Sequence, residues 1–250
     1  MCVAALAWHA HPHWRLVAIG NRDEYHERPA APLDRWHDAD GVIAGQDLQS
    51  GGTWLGVSAD RFVLVTNLRG YDLPNPDRAS RGGLVTDLLG GGEVQTDALD
   101  AYNPFNLLLA CGEKLTYLTN RPAPTRTTLP HGIYGLSNGS LDEPWPKTLH
   151  LKAALNDWLA VGTADPAPLF SALRSEILPD IGLHPQAPSE VAIEPAETPP
   201  FISGETYGTR CSTVVLVDPD GAGRIIERRF DAAATPIGET QLVFAWPVRV

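Results

Sequence analysis

Apolar residues in the first half of the chain fall in short runs and not in helical stripes. Residues 2–8 and 14–20 are two such runs joined by the polar stretch 9–13, which predicts a β-hairpin. Residues 42–45, 53–58 and 62–66 predict three further strands, set apart by Gly51-Gly52 and Ala59-Asp60. Residues 82–89 predict a short helix stopped by Gly90-Gly91-Gly92, and 106–110 with 115–119 predict another strand pair. The period then changes. Over 145–159, Leu149, Leu151, Ala154, Leu155 and Trp158 recur at helical spacing, and over 166–178 so do Leu169, Phe170, Leu173 and Ile177. Residues 179–200 hold six prolines and little periodicity, so a loop-rich excursion over 179–205 is expected. Residues 212–217, 224–230 and 241–247 predict closing strands. Strands, then helices, then strands, without βαβ alternation or repeats, point to a layered α+β fold over 1–250 as one domain.

Composition narrows the function. The chain is 43% apolar, ample for a buried core, and carries a net charge of −11. The basic footprint of a nucleic-acid protein is absent, so a small-molecule ligand or substrate held in a pocket is expected, with no nucleic-acid partner. No run approaches the ~20 apolar residues of a membrane span. Residues 3–8 are too short and lack the basic flank of a signal peptide, so a cytoplasmic protein is expected. Three scattered cysteines (Cys2, Cys111, Cys211) make no disulfide framework. Arginine supplies all but three of the 19 basic residues, a usage that fits a GC-rich genome as well as any function. Nothing here sets the oligomeric state.

Chemistry concentrates at the start. Removal of an initiator Met before a small residue would leave Cys2 with a thiol and a free α-amine. An α-amine titrates near ~7.7 and a thiol near ~8.5, so the first can act as base for the second. Alone, Cys2 reads first as a small residue opening a buried strand. The tetrad Asn21-Arg22-Asp23-Glu24 ends the second run, with Arg28-Pro29 beyond it, and a hairpin would bring it beside Cys2. Four polar groups there are costly to bury unless paired. Thr66-Asn67 and Ser137-Asn138 each place an amide at the end of an apolar or glycine-led run. Tyr207-Gly208-Thr209-Arg210 precedes a strand.

These motifs resemble the NRDE family, also called the transport and Golgi organization protein 2 family, whose first name is the tetrad at 21–24. Met1-Cys2, the tetrad, 51–56, Thr66-Asn67, Ser80-Arg81-Gly82, Phe105-Asn106-Leu107, 134–138, 144–147 and 207–214 match in order. The family is in turn similar to N-terminal-nucleophile hydrolases of the bile-salt hydrolase and penicillin acylase group. That resemblance implies a four-layer αββα sandwich of two mainly antiparallel sheets. It implies Cys2 as nucleophile with its own α-amine as base, acting on a non-peptide C–N bond. Arg22 and Asp23 would orient amine and thiolate, Asn67 and Asn138 would donate to an oxyanion, and Arg210 would hold the thiolate or a substrate carboxylate. Asn21, Glu24, Trp54, Arg69 and Arg81 are the substrate-binding candidates. Because adjacent strand residues face opposite ways, Asp23 is expected at Cys2 more than Arg22. No cofactor is required. The resemblance also implies haem, or a lipid or acyl-coenzyme A ligand, for a carrier without turnover.

Plainer readings stand beside these. His9, His11 and His13 alternate as chelating residues do, yet lie where a solvated turn is expected. The tetrad is also readable as structural, with Arg22 paired to Glu24, and both asparagines as turn residues. Ser80–Gly83, near Arg69, Arg78 and Arg81, is either an anion site or an ordinary helix entry. Cys111 reads as an inert core thiol, and strand parity turns Cys211 away from the site. Trp145 is a packing anchor or a pocket wall.

Overall fold

The computed structural model describes residues 2–37, 41–71, 74–183 and 197–247. In chain order its elements begin with β1 (Cys2–His11), β2 (Trp14–Tyr25), β3 (Ala30–Arg35), β4 (Ile43–Asp47), β5 (Leu55–Val57) and β6 (Arg61–Asn67). Then come α1 (Arg81–Leu89), a 3-10 turn at Thr96–Ala101, β7 (Phe105–Cys111), β8 (Lys114–Thr119), β9 (Thr125–Leu129) and β10 (Gly132–Leu136). The chain closes with α2 (Pro146–Val161), α3 (Ala167–Leu173), β11 (Tyr207–Val217), β12 (Ala222–Phe230) and β13 (Pro236–Ala245).

Among the described residues these strands form two sheets, ordered β10-β1-β2-β11-β12-β13 and β3-β4-β5-β6-β7-β8-β9, every named pair antiparallel. Side-chain alternation assigns the layers. Ala4, Leu6, Trp8, Leu16 and Ala18 face inward onto Leu55, Leu64 and Leu108 of the second sheet. Val3, Ala5, Ala7, Val17 and Ile19 point outward onto Leu151, Leu155 and Trp158 of α2 and Leu169 of α3. On the far side, Val63, Val65, Leu107 and Leu109 pack on Leu84, Val85 and Leu88 of α1. The result is an αββα stack. Central strands buried on both faces read as near-continuous apolar runs, which is why β1 and β2 stood out in the sequence.

The helix ends follow their chemistry. Ser80 caps α1 by accepting from the Gly83 N–H, α2 opens on Pro146, and α2 closes on Gly162 at φ 70°. Three strands escaped the sequence reading. β3 carries Pro32, tolerated because β3 is a sheet edge with a register break between Ala31 and Asp34. β9 is an exposed, threonine-rich edge, and β10 is short and glycine-led. α3 stops earlier than the expected 178: the Arg174 guanidinium lies 3.8 Å from the Phe201 ring centroid, and Ser175 O accepts from Phe201 N. Of the expected excursion 179–205, residues 184–196 lie outside the described residues. No helix among the described residues is long and apolar enough to cross a membrane.

Candidate functional site

A cavity of about 550 Å3 opens between the two sheets at the Cys2 end of β1. Its position follows from the hairpin. Cys2 pairs with Arg22 on β2, and Arg22 pairs with Cys211 on β11. Directly opposed antiparallel residues point to the same face, so Cys2, Arg22 and Cys211 all face the inter-sheet space and line the cavity. Cys211 therefore does not turn away from the site but keeps the inward face of Val215 and Val217. A β-bulge between Thr209 and Cys211 resets the parity, so that both Arg210 and Cys211 reach the cavity. The two thiols sit two strand spacings apart, roughly 9.5 Å, beyond disulfide reach, and both are free.

Backbone bonds clamp the Cys2 end in place. The Ser137 hydroxyl donates to Cys2 O at 3.0 Å, the Thr66 hydroxyl to Ser137 O at 2.6 Å, and Asn138 Nδ2 to Asn67 O at 2.9 Å. These bonds stitch the end of β6 to the chain after β10, and thus join the two sheets beside the thiol. Asn67 lines the cavity, whereas Asn138 is fully buried, is not among the lining residues, and has one amide donor committed to this clamp.

Arg22 and Asp23 divide across the strand as their adjacency requires, yet both line the cavity: Arg22 stands opposite Cys2 in the register, and the Asp23 backbone N–H acts on the Cys2 thiol. Arg22 shares the face of Cys2. Asp23 faces the helix layer, where Thr209 Oγ1 donates to its Oδ1 at 2.7 Å. Burial raises the Asp23 carboxyl to about 6, against the pull of the positive amino terminus, the Thr209 hydroxyl and Lys147. Burial likewise pushes the Cys2 thiol up, while the amino terminus and Arg22 act to lower it. At neutral pH Cys2 thus rests as a thiol and needs a base to become a nucleophile.

Asn21 does not contact the cavity. It is 0% exposed; its Nδ2 donates to Leu173 O and Pro200 O, and its Oδ1 accepts from Ser212. Its parity with Ile19 turns it to the helices, so it anchors α3 and the 197–202 segment and does not bind ligand. Arg210 lines the cavity but donates Nη1 to the carbonyls of Tyr25, His26 and Arg28, holding the β2–β3 turn. Glu24 lines the cavity near Arg22 and Arg28, with N–O separations of 4.0 and 3.9 Å. Trp54 forms a wall, its ring against Gly20. Arg81 lines the cavity beside Ser80 and Gly82, tied by Nη1 to Pro104 O. Arg69 lies behind it, bonded through its N–H to Asn138 O, and is not among the lining residues.

Sequence reasoning missed Asp47, which joins the tetrad to the second sheet. Its Oδ2 accepts from Arg22 Nη2 at 2.9 Å and Arg28 Nε at 2.5 Å. Its Oδ1 accepts from the N–H groups of Gln49 and Ser50. Burial alone would raise this carboxyl, but Arg28, the Ser50 N–H and Arg22 together hold it below its ordinary value. Asp47→Ala strands two arginines in the cavity wall, and about 3 kcal/mol of stability should disappear in urea unfolding at pH 7. Because the folded value is depressed, the contribution is complete above about pH 4 and fades as pH falls through the folded value. The variant and parent should converge in acid; a gap that persists there would show that packing, and not the ion pairs, carries the effect.

Glu227 was missed too. It reaches across from β12 to accept from Leu33 N at 2.8 Å, and burial raises its carboxyl. Neither acid had a sequence signal, since each gains its meaning from a strand distant in the chain. In all, six arginines (22, 28, 78, 81, 210 and 229) line the cavity against four carboxylates, in a chain of net charge −11. The field inside favours an anion.

The remaining residues take plainer places. His11 and His13 occupy the hairpin turn, while half-buried His9 stacks on His131 and lies 3.4 Å from Glu113. Cys111 sits at the end of β7 and donates to Asp60. Trp145 packs on Gly139 ahead of α2.

A family model described as transport and Golgi organisation 2 matches residues 1–232. The human transport and Golgi organization protein 2 homolog is 32% identical over 251 residues, covering 86% of each chain. The mouse homolog is 32% identical over 242 residues at the same coverage, and the Drosophila melanogaster protein 29% over 267 residues, covering 91% of each. The matched segment runs from β1 through β12, and on that extent and these identities the chain belongs to the transport and Golgi organisation 2 family.

Proposed function

We propose that the protein, after removal of Met1, is an N-terminal-thiol amidohydrolase that cleaves a non-peptide C–N bond in a small anionic substrate. The observation that carries this reading is the placement of Cys2 at the head of β1, in the wall of the arginine-rich cavity, with Arg22 on its own face and Asp23 behind it. Its thiol would pass its proton to the α-amine as Sγ attacks the amide carbonyl. Asn67 Nδ2 and Arg22, which line the same cavity as Cys2, would donate to the developing oxyanion. Collapse would break the C–N bond, the departing amine taking the proton back, and water would then hydrolyse the thioester. Asp23 would orient the amine from the helix side. A carrier that holds an anion in the same cavity, haem with its carboxylates included, is the second reading, favoured by the arginines alone.

Intact-mass analysis of cell-made protein, followed by iodoacetamide alkylation across pH, tests the thiol reading. Met1 should be absent, and Cys2 should react well before Cys111 and Cys211. Below about pH 6, where Asp23 becomes protonated and no longer orients the amine, the rate should fall more steeply than the roughly tenfold per pH unit that loss of thiolate alone gives. Retained Met1, or a Cys2 no faster than the others, rejects the hydrolase and leaves the carrier. The raised Asp23 value also has a cost in folding. Its stabilisation is complete below about pH 4 and is lost as pH rises through about 6, as for a group tuned to a task.

A further inference from the structure

Lys147 occupies a place that general physics disfavours twice. It lies in the first turn of α2, at the positive end of the helix dipole, where that helix has no acidic residue. It is also 0% exposed, and a buried ammonium is stable only when paired and hydrogen-bonded. Its Nζ donates to Thr198 Oγ1 at 2.9 Å. The segment that holds Thr198 leads directly to the catalytic end of the sheet. Pro200 O takes Asn21 Nδ2, Ile202 N donates to Thr209 Oγ1 at 2.9 Å, and the same Thr209 hydroxyl donates to Asp23. Lys147 lies one turn before Leu151 on the face of α2 that packs on the first sheet, and Asp23, bonded to Thr209, faces that same layer, on the side opposite Arg22. The charge of Lys147 acts on Asp23, favouring the carboxylate.

We propose that Lys147 is a positioning residue for Cys2: its buried ammonium, anchored on Thr198, neutralises Asp23 so that the carboxylate does not trap the amino terminus as an ammonium ion. The α-amine then stays free to accept the thiol proton. The inference rests on the N-terminal-thiol reading. The other charged or titratable groups around Cys2 and Asp23 are Arg22, Glu24, Arg81 and Cys211 towards the cavity. On the helix side the Tyr207 hydroxyl donates to Asp23 O at 2.8 Å. Among these groups only Lys147 offers a cation to Asp23 from the helix layer.

The test is the pH dependence of Cys2 alkylation by iodoacetamide, located by peptide mass spectrometry, in the full chain and three variants. Lys147→Met and Lys147→Gln remove the charge, the second keeping a hydrogen-bonding end for Thr198; Lys147→Arg keeps the charge. Removing a nearby cation raises every proton affinity around it, so the midpoint should move up by about one pH unit in both charge-free variants and stay in place in Lys147→Arg. A folded Lys147→Gln or Lys147→Met with the parent midpoint overturns the proposal. If neither charge-free variant folds while Lys147→Arg does, the ammonium is a folding determinant and the positioning role is rejected. If the parent itself retains Met1 or shows no fast thiol, the hydrolase reading falls and this inference with it. A titrating parent with coincident variants removes the Lys147 role alone.

Discussion

Cys2→Ala should lower turnover of any cleaved N-acyl amide by at least about 10^3-fold while moving the thermal midpoint little. The two halves have different causes. In the proposed reaction the thiol forms the covalent intermediate, and the α-amine that Cys2→Ala leaves behind has no nucleophile to serve. The fold, by contrast, holds the Cys2 end through its backbone: Ser137 donates to the Cys2 carbonyl, and β1 pairs with β2 and β10 on its two sides. Truncating one partly buried sulfur therefore removes about 1 kcal/mol or less of packing. A screen of p-nitroanilides bearing a carboxylate, matched to the arginine-lined cavity, would supply the substrate. A Cys2→Ala protein that turns such a compound over at the parental rate ends the nucleophile assignment. Loss of activity together with loss of the fold would reject the separation of roles.

Gly52→Ala should produce the largest loss of stability of any single methyl addition near the site, about 3 kcal/mol or more. Two matched motifs, Gly51–Gly56 and Ser80-Arg81-Gly82, touch each other here, and Gly52 is the point of contact. An added Cβ would stand 2.2 Å from Gly82 C, 2.5 Å from Gly82 O and 2.6 Å from Gly83 N. All three are backbone atoms of the first turn of α1, so no side-chain rotation relieves the clash. The Thr53 N–H to Gly82 O bond, 3.3 Å, would be broken, and α1 with Arg81 would be pushed away from the cavity. Gly51, the preceding residue in the same motif, offers a control of opposite character. Its φ of 76° needs a glycine, but an added Cβ meets no atom within 4 Å. Gly51→Ala should cost only about 1 kcal/mol from the left-handed backbone. Equal losses in the two variants, measured by urea unfolding, would show that backbone conformation and not close approach makes the double glycine matter.

Much of the site was legible because it lies in local runs. Cys2, the tetrad and Trp54 sit at the ends of strands whose apolar runs are plain in the sequence, and the hairpin that joins the first two needs only a short polar connection. The layered α+β order was legible for the same reason. Parity was less secure. Alternation correctly separates Arg22 from Asp23, but it does not say which face is the cavity; the second sheet decides that by covering the face of Ala4, Leu6 and Ala18. Between Arg210 and Cys211 alternation fails, because a bulge inserts one residue and no residue type announces it. Asn21, a member of the most recognisable motif, turned out to brace α3 and the 197–202 segment, its amide fully used by backbone carbonyls.

Ten of the thirteen strands described, and the chemistry offered at Cys2, are legible from neighbouring residues alone. Local hydrophobic period and the reactivity of an α-amine beside a thiol are properties of neighbouring residues. Only the tertiary structure decided what surrounds that thiol. Asp47 meets Arg22 from 25 positions away, Glu227 meets Leu33 from 194, and Thr198 anchors Lys147 across 51. Each is a charged or polar group whose energy depends on burial and on a partner, and neither is a property of the residue's own stretch of chain. The opposed pull on Cys2, with burial holding the proton on and the amino terminus and Arg22 drawing it off, exists only once the two sheets close over β1.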